Sequence, residues 1–171
     1  MLSNPVPVLI RYLQQADALL IKTSASEQEF KALLNARLAD DMLPFANQII
    51  TTVNFALRIA CPLAGKAVPA WQQPAHSLEA LRHYIARAIE FLQSLTEKDF
   101  AEADMHVIED RAGFADLSLP AAEFLYSYAL PNFYFHWSMA FAIARSRGFA
   151  VGKMDFDGYH QYPPGFSFEK S

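Results

Sequence analysis

Apolar residues recur along this chain in a helical rhythm for most of its length. From about Val6 to Thr23, the residues Leu9, Tyr12, Leu13, Ala16, Leu19 and Leu20 return every three or four positions. That spacing predicts a helix with one buried stripe. Asn4 is placed to cap it, and Pro5 suits the first helical position, where a missing N–H costs nothing. Ser26 with Glu29 has the form of a capping box and predicts a short helix through Leu33 and Leu34. A second long helix is predicted over about Asp41–Leu63. Met42, Phe45, Ile49, Val53, Ala56 and Ala60 form its main stripe, and Asp41, Phe45, Gln48, Thr52, Phe55 and Ile59 a neighbouring one. Pro62 and Gly65 end it. A third helix runs from about Ser77, a good N-cap, to Thr96.

Between Phe100 and Ser118 the rhythm changes. Met105–Glu109 and Phe114–Leu117 flank Asp110-Arg111-Ala112-Gly113, which predicts a small hairpin or an irregular insert. The last helix is expected over Pro120–Arg147, capped by Ser118, kinked or broken at Pro131 and closed by Gly148. The tail after it holds Phe156, Tyr159, Tyr162, Phe166, Phe168 and the pair Pro163-Pro164. So much aromatic surface at residues 150–171 is expected to pack on the helices or on a partner subunit. The stripes together predict an all-α fold, an antiparallel four-helix bundle in a single domain over residues 1–171.

Charge and cysteine usage narrow the partners. The net charge is −4, and Lys and Arg form no cluster, so nucleic acid is not an expected partner. The N-terminal stretch has neither a basic region nor a small-residue cleavage site. No apolar run reaches the roughly 18–20 residues of a membrane span. The lone cysteine, Cys61, excludes an internal disulfide and suits a reducing compartment, so a cytoplasmic location is expected. Phosphate loops, nucleophile elbows and C-x-x-C pairs are absent from the sequence.

Candidate chemistry gathers in Pro131–Phe141, which is apolar nearly all the way round a helix. Asn132, His136, Met139 and Ile143 share one of its stripes. A buried polar group without a partner costs about 1–3 kcal/mol, so the Asn and the His need partners. Asp41 and Gln48 share a face of the second helix and could meet them. Each also has a plainer reading: His136 as a hydrogen-bonded core histidine, Asn132 as a cap after Pro131, Asp41 as a helix-start carboxylate, and Gln48 as a partner that merely satisfies His136. Phe45, Phe55, Tyr128, Phe135 and Met139 are the candidate walls of a pocket around His136.

The run of Leu38, Asp41-Met42, Pro44 and Gln48, then Leu130-Pro131-Asn132-Phe133-Tyr134-Phe135-His136, then Gly152-Lys153 and Asp155-Phe156, resembles an uncharacterised bacterial domain family. That family is grouped with the DinB/YfiT-like metalloenzyme superfamily. The resemblance implies a DinB-like four-helix bundle, commonly a homodimer. Better-known members of the superfamily hold a divalent metal with three histidines, one on the second helix and two spaced four apart on the last. Some relatives are thiol-dependent transferases or isomerases. Here His136 falls on the second ligand of the spaced pair and Asn132 on the first, while Gln48 or Asp41 stands nearest the third. The implied metal set is therefore His136, Gln48, Asn132 and Asp41, an incomplete version of the three-histidine pattern. Zinc or nickel prefers imidazole, thiolate or carboxylate, so the amides favour no tightly bound ion. Three expectations follow. One is a degenerate metal-dependent enzyme of transferase, isomerase or hydrolase type, with its site between the second and last long helices. Another is a non-catalytic module for a small-molecule ligand. The third is a structural homodimer joined through Tyr134, Trp137 and Phe141.

Overall fold

The computed structural model describes residues 2–163 and Phe166, so Pro164 and Phe168 lie outside the described residues. The chain is mostly helical with one two-stranded sheet. It enters α1 (Val6–Thr23) through Pro5, which holds the N-cap position expected of Asn4, while Asn4 Oδ1 accepts from the Val6 N–H at 2.9 Å. Ser26 caps α2 (Glu27–Leu34), its Oγ accepting from the Glu29 N–H.

The next helix, α3 (Phe45–Leu63), starts at Phe45 rather than at Asp41. Proline disfavours the helical region for the residue before it, and here the helix does not run through Leu43 into Pro44. Asp41 and Met42 instead sit in a turn closed by the Met42 N–H to Ala39 O at 3.1 Å. Pro44, extended at ψ 164°, is the N-cap residue. The following helix, α4 (Leu78–Gln93), is capped by Ser77, whose Oγ accepts from the Ala80 N–H at 3.2 Å.

The insert is a true hairpin, β1 (Val107–Ala112) paired antiparallel with β2 (Ala115–Pro120). Its turn lies further along than the sequence suggests. Asp110, Arg111 and Ala112 pair with Leu117, Asp116 and Ala115, leaving Gly113-Phe114 as a two-residue loop. Gly113 takes φ 61°, which only glycine adopts without strain at the first position of such a loop. Ser118 therefore lies on β2 and does not cap a helix.

Helix restarts with the short α5 (Ala121–Glu123), passes through a π turn over Phe124–Ala129 and continues as α6 (Leu130–Ser146). Pro131 falls in the first turn of α6, so no break occurs there. A wider turn pairs carbonyls one residue further on, which relieves the bond that proline cannot make.

α1, α3, α4 and α6 pack about a shared apolar core, with α3 lying most extensively against α6. Phe45, Phe124, Phe133 and Trp137 are among its largest fully buried side chains. The last helix, α7 (Lys153–Asp157), lies against α1 and α6. Phe156 stacks on Trp137 at 5.6 Å and meets Tyr12 and Phe141 edge-on. The Trp137 indole N–H donates to Phe156 O at 3.1 Å. Trp137 is thus buried under α7, while Tyr134 and Phe141 are half-buried against Tyr12 and Phe156. Among the described residues, no helix is long and apolar enough to cross a membrane.

Candidate functional site

α3 is apolar except for small polar groups and a single charge. Its stripe Gln48, Thr52, Phe55 turns toward α6, whose Phe133, Trp137 and Ala140 sink into the core while His136 stays at the boundary. Gln48 is almost wholly buried, at 1% exposure, so both ends of its amide need partners. The amide Nε2–H donates to Leu43 O at 3.2 Å, and Oε1 accepts from His136 Nδ1 at 2.7 Å. Because Leu43 O can only accept, the amide orientation is fixed. The amide in turn fixes the imidazole, whose proton sits on Nδ1 in the neutral ring.

His136 Nε2 makes no hydrogen bond to the protein. Among the described residues, no buried side-chain nitrogen lacks a partner, so Nε2 reaches solvent. The ring stacks on Phe55 at 5.6 Å and 20°, with Phe135 edge-on at 5.2 Å. Burial lowers the His136 pKa below its usual value, and the Arg58 charge lowers it further. The ring is therefore neutral at pH 7 and offers Nε2 as an acceptor.

Arg58 was not reached from the sequence, although it is the one charged residue of α3. Its guanidinium lies 4.5 Å from the Phe55 centroid. Nη2 bonds both oxygens of Asp110 at 2.7 Å, Arg111 O at 2.9 Å and the Tyr128 hydroxyl at 3.0 Å. This staple holds the hairpin to α3 and to the π turn. Asp110, expected in the turn, is instead a partner of the site.

The other expected residues separate. Asn132 Nδ2 donates to Tyr128 O at 2.7 Å, which secures the π turn. Asp41 is exposed in the turn before α3. Phe45 is fully buried and Phe135 is 51% exposed, while Phe55 and Tyr128 meet at 6.1 Å beside the histidine. Met139 is half-buried one turn beyond His136.

The donor chemistry does not fit a divalent ion of the zinc or nickel kind. Around His136 stand neutral amides, Gln48 bonded at both ends and Asn132 through its Nδ2, and an amide oxygen is a poor ligand for such an ion. Among the described residues, no three His, Cys, Asp or Glu side chains gather to hold a metal. Cys61 is buried in α3, where burial pushes its thiol up to about 11.

Residues 1–157 match the family described as "Domain of unknown function (DUF1993)". A DinB family member protein from Shewanella denitrificans, known from a crystal structure, is similar at 30% identity. It superposes with a TM-score of 0.80 over 92% of each chain. No curated protein matches the sequence.

Proposed function

The chain belongs to the DUF1993 family, and from that premise we propose a metal-independent binding module. In this reading an antiparallel four-helix bundle of DinB type holds a small apolar or aromatic ligand on its α3–α6 face, beside His136. The observation that supports it most is the fixed imidazole, with Nδ1–H held by Gln48 at 2.7 Å and Nε2 open to solvent. Small-molecule sites combine apolar walls with a few polar groups in set orientations. The half-exposed Phe135 and Met139 supply the apolar surface, the buried Phe55 backs the imidazole, and Nε2 supplies the oriented acceptor. A ligand O–H or N–H would donate to it, its apolar body resting against Phe135. Gln48 is bonded at both ends of its amide, and a neutral amide oxygen such as Asn132 Oδ1 is a poor zinc or nickel ligand, so no part of this reading runs through a metal.

Titration with phenol, indole and cyclohexanol, followed by NMR, tests the reading. Shifts are expected at Phe55, Phe135 and His136 in the wild type, and their loss in a folded His136→Leu variant. Absence of shifts at those residues for every probe would overturn the reading. So would tight, stoichiometric uptake of zinc or nickel by protein purified without a tag.

A further inference from the structure

Resting on that binding reading, we infer that the ligand is an acid: a small aromatic or apolar carboxylate whose anionic end is received by Arg58. The guanidinium is bound to the protein through Nη2 alone. Nη1 and Nε make no hydrogen bond, and since no buried side-chain nitrogen among the described residues lacks a partner, both reach solvent. Arginine carries donors on all three nitrogens in one plane, so this residue has N–H groups left to offer outward. They border the same ring that His136 borders. The guanidinium stands 4.5 Å and the imidazole 5.6 Å from the centroid of the buried Phe55, and the Arg58 charge is felt at the imidazole. The arrangement gives an anion a charged donor and a hydroxyl or amine an acceptor, and the exposed Phe135 beside His136 gives an apolar body a ring to lie on.

Carboxylate is favoured by the partner Arg58 already has. Both Asp110 oxygens sit 2.7 Å from Nη2, so a carboxylate fits this guanidinium. One arginine, with no lysine bonded alongside it, suits a singly charged group better than a phosphate. Asp110 is then an internal competitor. It holds the hairpin closed on Arg58 and lowers the attraction for an incoming anion.

Calorimetric titration with 3-phenylpropionate, 3-phenylpropanol and inorganic phosphate tests the inference. The acid should bind the wild type about tenfold more tightly than the alcohol, as one charge-assisted hydrogen bond provides. Asp110→Asn should tighten the acid several-fold and leave the alcohol unchanged. Arg58→Gln should remove the preference for the acid. A purely structural ion pair predicts the same direction for both variants, because each breaks the same contact. Equal binding of acid and alcohol, a stronger response to phosphate, or weakening of the acid in Asp110→Asn would each overturn the inference. The Asp110→Asn result decides the sign whether or not Arg58→Gln folds. Alcohol binding that persists without acid preference sinks only the carboxylate. Failure of both acid and alcohol sinks the binding reading as well.

Discussion

Replacing Gln48 by Leu isolates the contact on which the site is built. The side chain is at 1% exposure and makes two hydrogen bonds, to Leu43 O and from His136 Nδ1. Leucine is close in volume and keeps the packing, so the loss is polar. A buried group left without its partner costs about 1–3 kcal/mol. Leu43 is 43% exposed, and its carbonyl regains water at little cost. The imidazole has no such recourse, because Nδ1 faces α3 and the leucine would stand in its path. Part of the penalty is offset by apolar burial of the new side chain. The net expectation is a destabilisation of about 1–2 kcal/mol, or a Tm lower by about 2–8 °C for a chain of this length. Urea unfolding at pH 7.5 measures it. Nitrogen-15 shifts of the ring provide an independent readout, with the proton on Nδ1 in the wild type and substantially on Nε2 in the variant. A change below about 0.5 kcal/mol, within the range of an ordinary surface substitution, together with an unaltered tautomer, would refute the reasoning.

The His136 ring is neutral in the fold and protonates in the unfolded chain below its ordinary pKa. The unfolded state then binds more protons, so wild-type stability falls as pH drops below about 6.5, and His136→Gln should flatten that slope in urea midpoints taken from pH 7.5 to 5. An equal slope in both proteins would contradict it. Asp99 accepts from Lys66 and from Thr96, which hold its carboxyl at about 2; in Lys66→Met, NMR titration should find it moved back toward the usual carboxylate range. Cys61 should resist a thiol reagent at pH 8 in the native protein and react fully in urea, since burial holds the thiol at about 11. Phe156→Ala should cost about 2–3 kcal/mol, the low side of the range for a buried phenylalanine because this ring is only half-buried, and should alter Trp137 fluorescence by unstacking it. Unchanged emission would mean that α7 does not rest there.

The helices were legible because each buries one stripe, and a stripe repeats. Leu9, Leu13, Ala16 and Leu20 report their face directly, as do Leu81, Ile85, Ala88 and Leu92. Ends were legible where a side chain caps, as at Ser26 and Ser77, and misplaced where proline acts on its neighbours. Pro44 moves the start of α3 forward, and the hairpin turn slips from Asp110-Arg111-Ala112-Gly113 to Gly113-Phe114 because glycine serves best as the first residue of a two-residue loop. The meeting of His136 and Gln48 is readable as a need, since both are polar positions on facing stripes. Arg58 was missed because a single arginine on a helix is usually a solvated one. The available signal was its solitude: the rest of α3 carries no charge, and a lone charge there has to find an opposite one on another element.

Pro131 shapes the polar side of this face. In the sequence it reads as an interruption, yet the helix absorbs it through the π turn at Phe124–Ala129. That turn carries Tyr128, whose hydroxyl meets Arg58 and whose carbonyl takes the Asn132 amide. Asn132 therefore serves the backbone that proline disturbed, and is spent there. Its amide nitrogen is occupied in holding a turn, and that turn brings a phenol to the only charge on the facing helix. A substitution that placed histidine at 132 would remove the amide from Tyr128 O, and with it a support of the Arg58 staple. The polar groups of this face are thus interlocked, and the chemistry left open to a ligand is what they leave unused: one imidazole nitrogen and the outer donors of one guanidinium.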